Sequence, residues 1–228
     1  MLKKAPTVIS LLQIGCSNVG KTALAYKFVS DIFKKNLLNT VGIDYVTKNV
    51  SINGKDVMVK ICDTAGQERY QQITYQFIRK VEGIAFVYDI SNRLSFDNLK
   101  NRMEDVFHFK NDISYIIVGN KADLNDDQRV VSEWEGQKLA NEYHVPFYET
   151  SALNGQNVKK SFEILINLVI SQEEEIKKEI LNEKPNNNKD KPANSENDNN
   201  SYFSLNRTVN LNDNDWNHNE GKCLKYSC

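Results

Sequence analysis

Short apolar segments alternate with longer segments of helical spacing along most of the chain. Apolar runs predict strands at residues 7–14, 84–89, 115–119 and 146–148, and two more within 44–62 joined by the turn Asn53-Gly54. Helical spacing predicts helices at 21–30, from about 95, at 132–143 and at 158–181, the last with i,i+4 pairs Glu173/Lys177 and Glu174/Lys178. This order predicts an α/β fold, with a mostly parallel six-stranded sheet, one antiparallel hairpin strand and helices on both faces.

Ligands of such sheets bind at the carboxyl ends of the strands, so the loops there carry the candidate chemistry. The first loop, residues 15–22, reads Gly-Cys-Ser-Asn-Val-Gly-Lys-Thr and matches G-x-x-x-x-G-K-T between a predicted strand and a predicted helix. Its backbone N–H groups suit a phosphate chain, Lys21 suits the outer phosphates, and the Thr22 hydroxyl suits magnesium. The loop alone indicates a nucleotide phosphate site without specifying the base or the reaction.

The second loop, Asp63-Thr64-Ala65-Gly66-Gln67-Glu68, follows an apolar strand. A carboxylate at a strand end can hold magnesium through water, the N–H of Gly66 can approach a terminal phosphate, and the Gln67 amide can orient an attacking water. A simple polar turn explains the same residues equally well when the loop is taken alone.

The third and fourth loops bear on the base. Asn120-Lys121-Ala122-Asp123 follows the strand at 115–119, and Thr150-Ser151-Ala152 follows the strand at 146–148. Asp123 can accept both N–H groups of the guanine Watson–Crick edge, Lys121 can lie along the ring face, and Asn120 can tie loops together. Each fragment is weak alone, but four in this order, each just after a strand, indicate one guanine nucleotide site.

Residues 7 to about 180 resemble the Rab family of Ras-superfamily small GTPases. The resemblance rests on Thr40-Val41-Gly42-Ile43-Asp44-Tyr45, which is similar to the Rab-type T-I-G-V-D-F, and on residues 60–70, 87–90 and 149–152. It implies the P-loop small GTPase fold for a domain at 1–181, GTP/GDP and Mg²⁺ as ligands, and a molecular switch that hydrolyses GTP in vesicle traffic.

The resemblance also implies a role for each matching residue. Gln67 positions the water that attacks the γ-phosphate in line, and Lys21 neutralises charge in the transition state. Thr22, Thr40 and Asp63 are the implied magnesium residues. The implied nucleotide contacts are Ser17, Asn18, Val19, Gly20, Lys21, Thr22, Ala23, Phe33, Thr40, Gly66, Asn120, Lys121, Asp123, Ser151, Ala152 and Leu153.

Partners follow from the same resemblance. No arginine stands next to Thr40, so unaided hydrolysis is expected to be slow and to need a GTPase-activating protein. A guanine nucleotide exchange factor, effectors that bind the switch regions at about 34–45 and 64–78, a prenylation escort and a GDP-dissociation inhibitor are also implied. Two departures matter: Cys62 replaces a usual tryptophan, which shrinks the aromatic docking surface, and Asn18 replaces a loop glycine but tolerates left-handed backbone.

The C-terminal segment, residues 182–228, has a different composition. Asparagine makes up 14 of its 47 residues, and we expect it to be a disordered hypervariable tail. It ends in Cys223-Leu224-Lys225-Tyr226-Ser227-Cys228, which is not a C-a-a-X box. We predict lipidation of Cys228, with Cys223 as a second site, and attachment to the cytoplasmic face of intracellular membranes with a cytosolic pool; two unmodified thiols are the alternative.

Charge and cysteine content limit the kinds of partner and site that the chain could have. The chain has 29 Lys+Arg and 30 Asp+Glu, a net charge of -1 that offers no overall attraction for nucleic acid. Four scattered cysteines suggest neither a disulfide framework nor a zinc site, and no signal peptide or transmembrane helix is expected. Two alternatives stay open: a GTP-binding interaction module with little hydrolysis, and an ATP-dependent P-loop kinase, which Asn120 to Asp123 argues against.

Overall fold

The computed structural model describes residues 7–33, 43–64, 76–110 and 112–182. Six strands of these ranges form one sheet in the order β2-β3-β1-β4-β5-β6. They are β1 (Thr7–Ile14), β2 (Ile43–Ile52), β3 (Lys55–Thr64), β4 (Gly83–Asp89), β5 (Ser114–Asn120) and β6 (Phe147–Thr150). Only the β2–β3 pair is antiparallel, which confirms the predicted mixed sheet.

The predicted helices follow β1, β4, β5 and β6 along the chain. They are α1 (Lys21–Ser30), α2 (Arg93–Phe109), α3 (Glu133–Glu142) and α4 (Val158–Asn182). A capping box of Ser132 and Glu135 opens α3, as its sequence indicates. Helix α2 begins two residues before the predicted start because the Asn92 side chain accepts a hydrogen bond from the Ser95 N–H and caps the helix there.

Two apolar clusters cover the two faces of the sheet. One contains residues of α1 and α4, and its aromatic centre is Phe28 stacked on Phe162 with ring centroids 4.5 Å apart. The other contains residues of α2 and α3, including Leu99 and Met103. Strands β4 and β5 are buried along their whole length between the two layers, which explains their continuous apolar sequences.

The β2–β3 hairpin turns at Asn53 and Gly54, which both have positive φ values, 51° and 75°, as the predicted two-residue turn requires. The hairpin packs near α4, since Asn53 Nδ2 donates to Asn167 Oδ1 at 3.0 Å. The predicted ion pair Glu173/Lys177 is confirmed at 3.1 Å. The predicted pair of Glu174 with Lys178 is wrong, because Glu174 pairs with Lys55 at the start of β3 instead.

No helix in the described part of the chain is long and apolar enough to cross a membrane. The predicted tail lies outside the described residues, apart from Asn182 at the end of α4.

Candidate nucleotide-binding site

The four loops singled out in the sequence follow β1, β3, β5 and β6. These strands are parallel to one another, so their carboxyl ends meet at one edge of the sheet. Hydrogen bonds join these loops into one site.

The β1–α1 loop is shaped by close backbone approaches. A Cβ added at Gly15 would lie 2.1 Å from the Val87 carbonyl oxygen, and one at Gly20 would lie 2.3 Å from Asn120 Nδ2. Gly20 also has φ 94°, and Asn18 has φ 63°, so Asn18 does adopt the left-handed backbone expected of it. The loop therefore closes tightly in front of α1, whose first N–H groups are free of intrahelical partners.

Lys21 lies in the first turn of α1 and points back over the loop. Its Nζ donates to the carbonyl oxygens of Gly15 at 3.0 Å and Cys16 at 2.9 Å. Burial lowers the pKa of this amine to about 8, although the charge of Asp63 acts in the opposite direction. The Lys21 ammonium, held by these two carbonyl oxygens, can therefore attract an anion that enters the loop.

A second link joins α1 to the end of β3. The Thr22 hydroxyl donates to Asp63 Oδ2 at 2.5 Å, and Asp63 is only 2% exposed. Among the described residues, no group of three or more His, Cys, Asp or Glu side chains is placed so that it could hold a metal ion. A hydroxyl and a carboxylate oxygen side by side match the oxygen ligands that magnesium prefers, so these residues fit that ion.

Asn120, at the end of β5, connects the loops on the other side of the site. Its Nδ2 donates to the Val19 carbonyl at 2.8 Å, and its Oδ1 accepts from the Ala152 N–H and the Thr150 hydroxyl, both at 3.3 Å. A further bond runs from the Ala122 N–H to the Thr150 carbonyl at 2.9 Å. One buried side chain thus fixes the β1–α1 loop, the β5 loop and the β6 loop relative to one another.

The Asp123 carboxylate is held in place by the β6 loop. Its Oδ1 accepts a hydrogen bond from the Ser151 hydroxyl at 2.5 Å. That hydroxyl in turn accepts from the N–H groups of Leu153 and Asn154, both at 3.2 Å. The β6 loop therefore fixes the direction of the carboxylate that sequence reasoning assigned to the guanine edge.

Lys121 has a left-handed backbone, with φ 70°, and its Nζ lies 2.5 Å from Asp89 Oδ2. Sequence reasoning missed this role of Asp89. The available signal was a carboxylate that ends a wholly apolar strand, a position where a buried charge needs a partner. It also missed the bidentate pair of Arg129 with Glu149, the residue just before the β6 loop.

The remaining site residues fall into two groups. Phe33 lies three residues beyond α1 with its ring partly exposed, Ser17 is partly buried, and Ala23 is buried in the first turn of the helix. The other predicted site residues, Thr40, Gly66, Gln67, Cys223 and Cys228, lie outside the described residues, as do most of the two switch segments.

Cys62 contributes no surface, because it is buried, and burial raises the pKa of its thiol to about 11. The aromatic residues beside it are Tyr45, which is its partner on β2, and Phe77, whose ring centroid lies 6.3 Å from that of Tyr45. That Cys62 shrinks the aromatic docking surface stays a prediction.

Comparison with known proteins decides the family. The Ras family model matches residues 10–171. Ras-related protein Rab-8B of Homo sapiens is 43% identical over 163 residues, which cover 71% of this chain and 78% of that protein. GTP-binding protein yptV2 of Volvox carteri is 44% identical, and Ras-related protein RABE1e of Arabidopsis thaliana is 42% identical, each over 156 residues that cover 68% of this chain and 72% of the relative. The chain belongs to the Rab family of small GTPases.

As a Rab-family GTPase, the protein binds guanine nucleotide, hydrolyses GTP and acts as a switch in vesicle traffic. Rab proteins work with regulators and effectors and are associated with intracellular membranes. Family membership excludes the ATP-dependent kinase, and the matches give no support to a binding module with little hydrolysis.

Proposed function

We propose that the four loops bind GTP with the base between the β5 and β6 loops and the phosphates in the β1–α1 loop. The observation that carries this proposal is the triple attachment of Asn120, which links the base loops to the Val19 carbonyl of the phosphate loop. Such an arrangement holds the two halves of a nucleotide site at a fixed spacing before the ligand arrives.

At the base, Asp123 accepts the two guanine N–H groups, and the Ser151 bond leaves its Oδ2 available for that role. Lys121 lies along the ring, Phe33 flanks it, and the Ala152 and Leu153 backbone faces the guanine carbonyl. At the phosphates, the N–H groups of residues 17–23 surround the oxygens and Lys21 adds a positive charge.

Magnesium would be held by Thr22, Asp63 and Thr40, of which the first two lie in hydrogen-bond contact. When bound, the ion supplies positive charge to the terminal phosphates. The chain itself keeps the carboxylate of Asp63 buried and in contact with the Thr22 hydroxyl, which fixes where the ion and the terminal phosphates would lie.

For hydrolysis, Gln67 orients the attacking water, Gly66 contacts the terminal phosphate, and the Lys21 ammonium offsets charge that grows on the phosphoryl oxygens. Because no arginine stands beside Thr40, turnover is slow until a GTPase-activating protein contributes one. A guanine nucleotide exchange factor then reloads the site, and effectors read the switch segments while GTP is bound.

Membrane attachment in this proposal comes from lipid on Cys228 and Cys223 at the end of a 182–228 tail, which follows a GTPase domain at 1–181. The tail carries 6 basic and 7 acidic residues, so charge cannot supplement a single lipid chain. A prenylation escort would present the cysteines, and a GDP-dissociation inhibitor would maintain a cytosolic pool beside the pool on the cytoplasmic face of intracellular membranes. Mass spectrometry of the native C-terminal peptide tests this, and free thiols on both cysteines would refute it.

The base assignment is tested with Asp123→Asn. We expect GTP affinity to fall at least about 100-fold and xanthosine triphosphate to become the preferred ligand, since the amide presents a donor where guanine needs an acceptor. Asp127→Asn, which changes an exposed carboxylate in the 3-10 turn Asp126–Gln128, is the matched control and should bind GTP normally. Unchanged GTP affinity in the Asp123 variant would contradict the assignment.

The hydrolysis assignment is tested by single-turnover measurements on protein loaded with GTP. Gln67→Leu should bind GTP normally and hydrolyse it at least about tenfold more slowly, because the attacking water loses its orienting amide. A hydrolysis rate equal to that of the wild type would remove Gln67 from the mechanism.

A further inference from the structure

The pair of Asp89 and Lys121 lies where β4 and β5 end side by side, since Asp89 is the register partner of Asn120. Lys121 Nζ is 2.5 Å from Asp89 Oδ2, and the two side chains are 37% and 6% exposed. The carboxylate is therefore buried while part of the lysine stem reaches the surface of the site. An ion pair of this kind restrains a side chain more firmly than an exposed one does.

The Asp89 carboxylate is itself fixed from its other side. Its Oδ1 accepts hydrogen bonds from the Ser91 N–H at 2.9 Å and the Ser91 hydroxyl at 2.6 Å. The Asp89 N–H donates to the Ser95 hydroxyl at 3.0 Å, which anchors the strand end to the first turn of α2. Neither oxygen of the carboxylate is thus free to turn away from Lys121.

Backbone geometry makes this restraint consequential for Lys121. Its left-handed φ of 70° sends the side chain in a direction that residues with ordinary backbone do not adopt. The lysine stem is also flexible, because it has four rotatable bonds. When Asp89 fixes the ammonium, the apolar stem of Lys121 is held between its backbone and the Asp89 carboxylate. Its methylene groups can then cover the face of a ring. Without the carboxylate the stem would have to be ordered by each nucleotide that binds, at the cost of its rotamer entropy.

We propose that Asp89 is a positioning residue for the guanine base, an inference that rests on the proposed nucleotide site. Asp89 holds the Lys121 stem along the ring face and thereby slows nucleotide release. It acts through Lys121 and touches no part of the nucleotide. If Asp89 only fastened β4 to α2, its removal would lower stability without any dependence on Lys121.

The test is a double-mutant cycle on the dissociation rate of GDP labelled with a fluorophore on the ribose, which leaves the base unmodified. Asp89→Asn keeps an oxygen for Ser91 but puts an amide against the ammonium, and we expect release about tenfold faster. Lys121→Met should release GDP at least as fast. The double variant should release it no faster than Lys121→Met alone, because the carboxylate then has nothing to position.

Asp97→Asn is the matched control, because it removes a carboxylate from an exposed ion pair with Arg93 at 3.0 Å on the same helix, α2. Its dissociation rate should equal that of the wild type. An unchanged rate in Asp89→Asn, or effects of Asp89→Asn and Lys121→Met that multiply in the double variant, would overturn the proposal.

A second variant covers the case in which Asp89→Asn does not fold. Ser91→Ala retains every charge and removes the 2.6 Å bond to Oδ1, so GDP release should become about twofold faster. A rate equal to that of the wild type in Ser91→Ala would then overturn the role of Asp89. Failure of the proposed site is distinguishable, since wild-type protein would then not retain the labelled GDP at all.

Discussion

The bidentate ion pair between Arg129 and Glu149 offers a sharp test of how the base loops are supported. Arg129 Nη1 and Nη2 donate to the two Glu149 carboxylate oxygens at 2.6 and 2.8 Å, and Nη1 also donates to the Val131 carbonyl at 3.1 Å. The two side chains are 24% and 10% exposed. The hydrogen bonds with Glu149 raise the pKa of Arg129, so the guanidinium keeps its positive charge in the pair.

Replacing Arg129 with Met leaves the Glu149 carboxylate mostly buried without its cation. Breaking a buried pair in this way costs about 3 kcal/mol of unfolding free energy, near the lower end of the usual range because water reaches part of Arg129. For a domain of this size the midpoint of thermal unfolding should fall by about 6–12 °C. Adding Glu149→Leu should recover most of the loss, since the uncompensated charge is then gone.

The assay is thermal unfolding in excess GDP, so that loss of nucleotide does not dominate the midpoint. The control is Arg93→Met, whose 2.6 Å pair with Glu135 has similar geometry but side chains that are 46% and 31% exposed. Its midpoint should stay within error of the wild type, because exposed pairs contribute little. Equal shifts for the Arg129 and Arg93 variants would refute the argument from burial.

Two further predictions concern buried groups. The pKa of Lys21 is about 8 in the free protein, and a phosphate beside the amine favours the charged form. Binding of GDP should therefore take up nearly one proton at pH 9 and about 0.1 proton at pH 7, and the affinity for GDP should fall as the pH rises through 8. Calorimetric titration in buffers of different ionisation enthalpy measures this, and equal uptake at both pH values would refute it. The buried Tyr88 hydroxyl has no hydrogen-bond partner among the described residues, and burial raises its pKa. Tyr88→Phe should therefore stabilise the protein by about 1 kcal/mol and raise the unfolding midpoint by about 2–4 °C, whereas a lower midpoint would show that the hydroxyl is bonded.

Local patterns were sufficient for the strands and for the loops that carry the chemistry. Strand β4 could be predicted because residues buried on both faces must be apolar without interruption. The hairpin turn followed from the positive φ values that Asn53 and Gly54 tolerate. The edge shared by the four loops then followed from parallel strands alone, before any contact was known.

Contacts between charged side chains could be predicted only within one helix. Glu173 and Lys177 meet because helical geometry brings i and i+4 together. The same rule failed for Glu174, because Lys55, which is 119 residues away, lies closer in the fold. A helical periodicity specifies the face on which a charge lies but not which strand or loop packs opposite that face.

The same limit applies to the supports of the base loops. Asp89 and Lys121 are 32 positions apart, and Arg129 and Glu149 are 20 apart. Asp89 and Lys121 meet because of the register of β4 with β5, which continuous apolar residues do not specify when both faces of each strand are buried. Arg129 lies in the segment between β5 and α3, so its contact with Glu149 on β6 depends on the path of that segment. A buried carboxylate at a strand end nevertheless requires a partner, since its charge cannot remain unpaired in the interior. For Asp89, at the end of an apolar strand, this requirement predicts that some cationic side chain lies beside the carboxylate. Only the register of β4 with β5 shows that this side chain is Lys121 of the β5 loop.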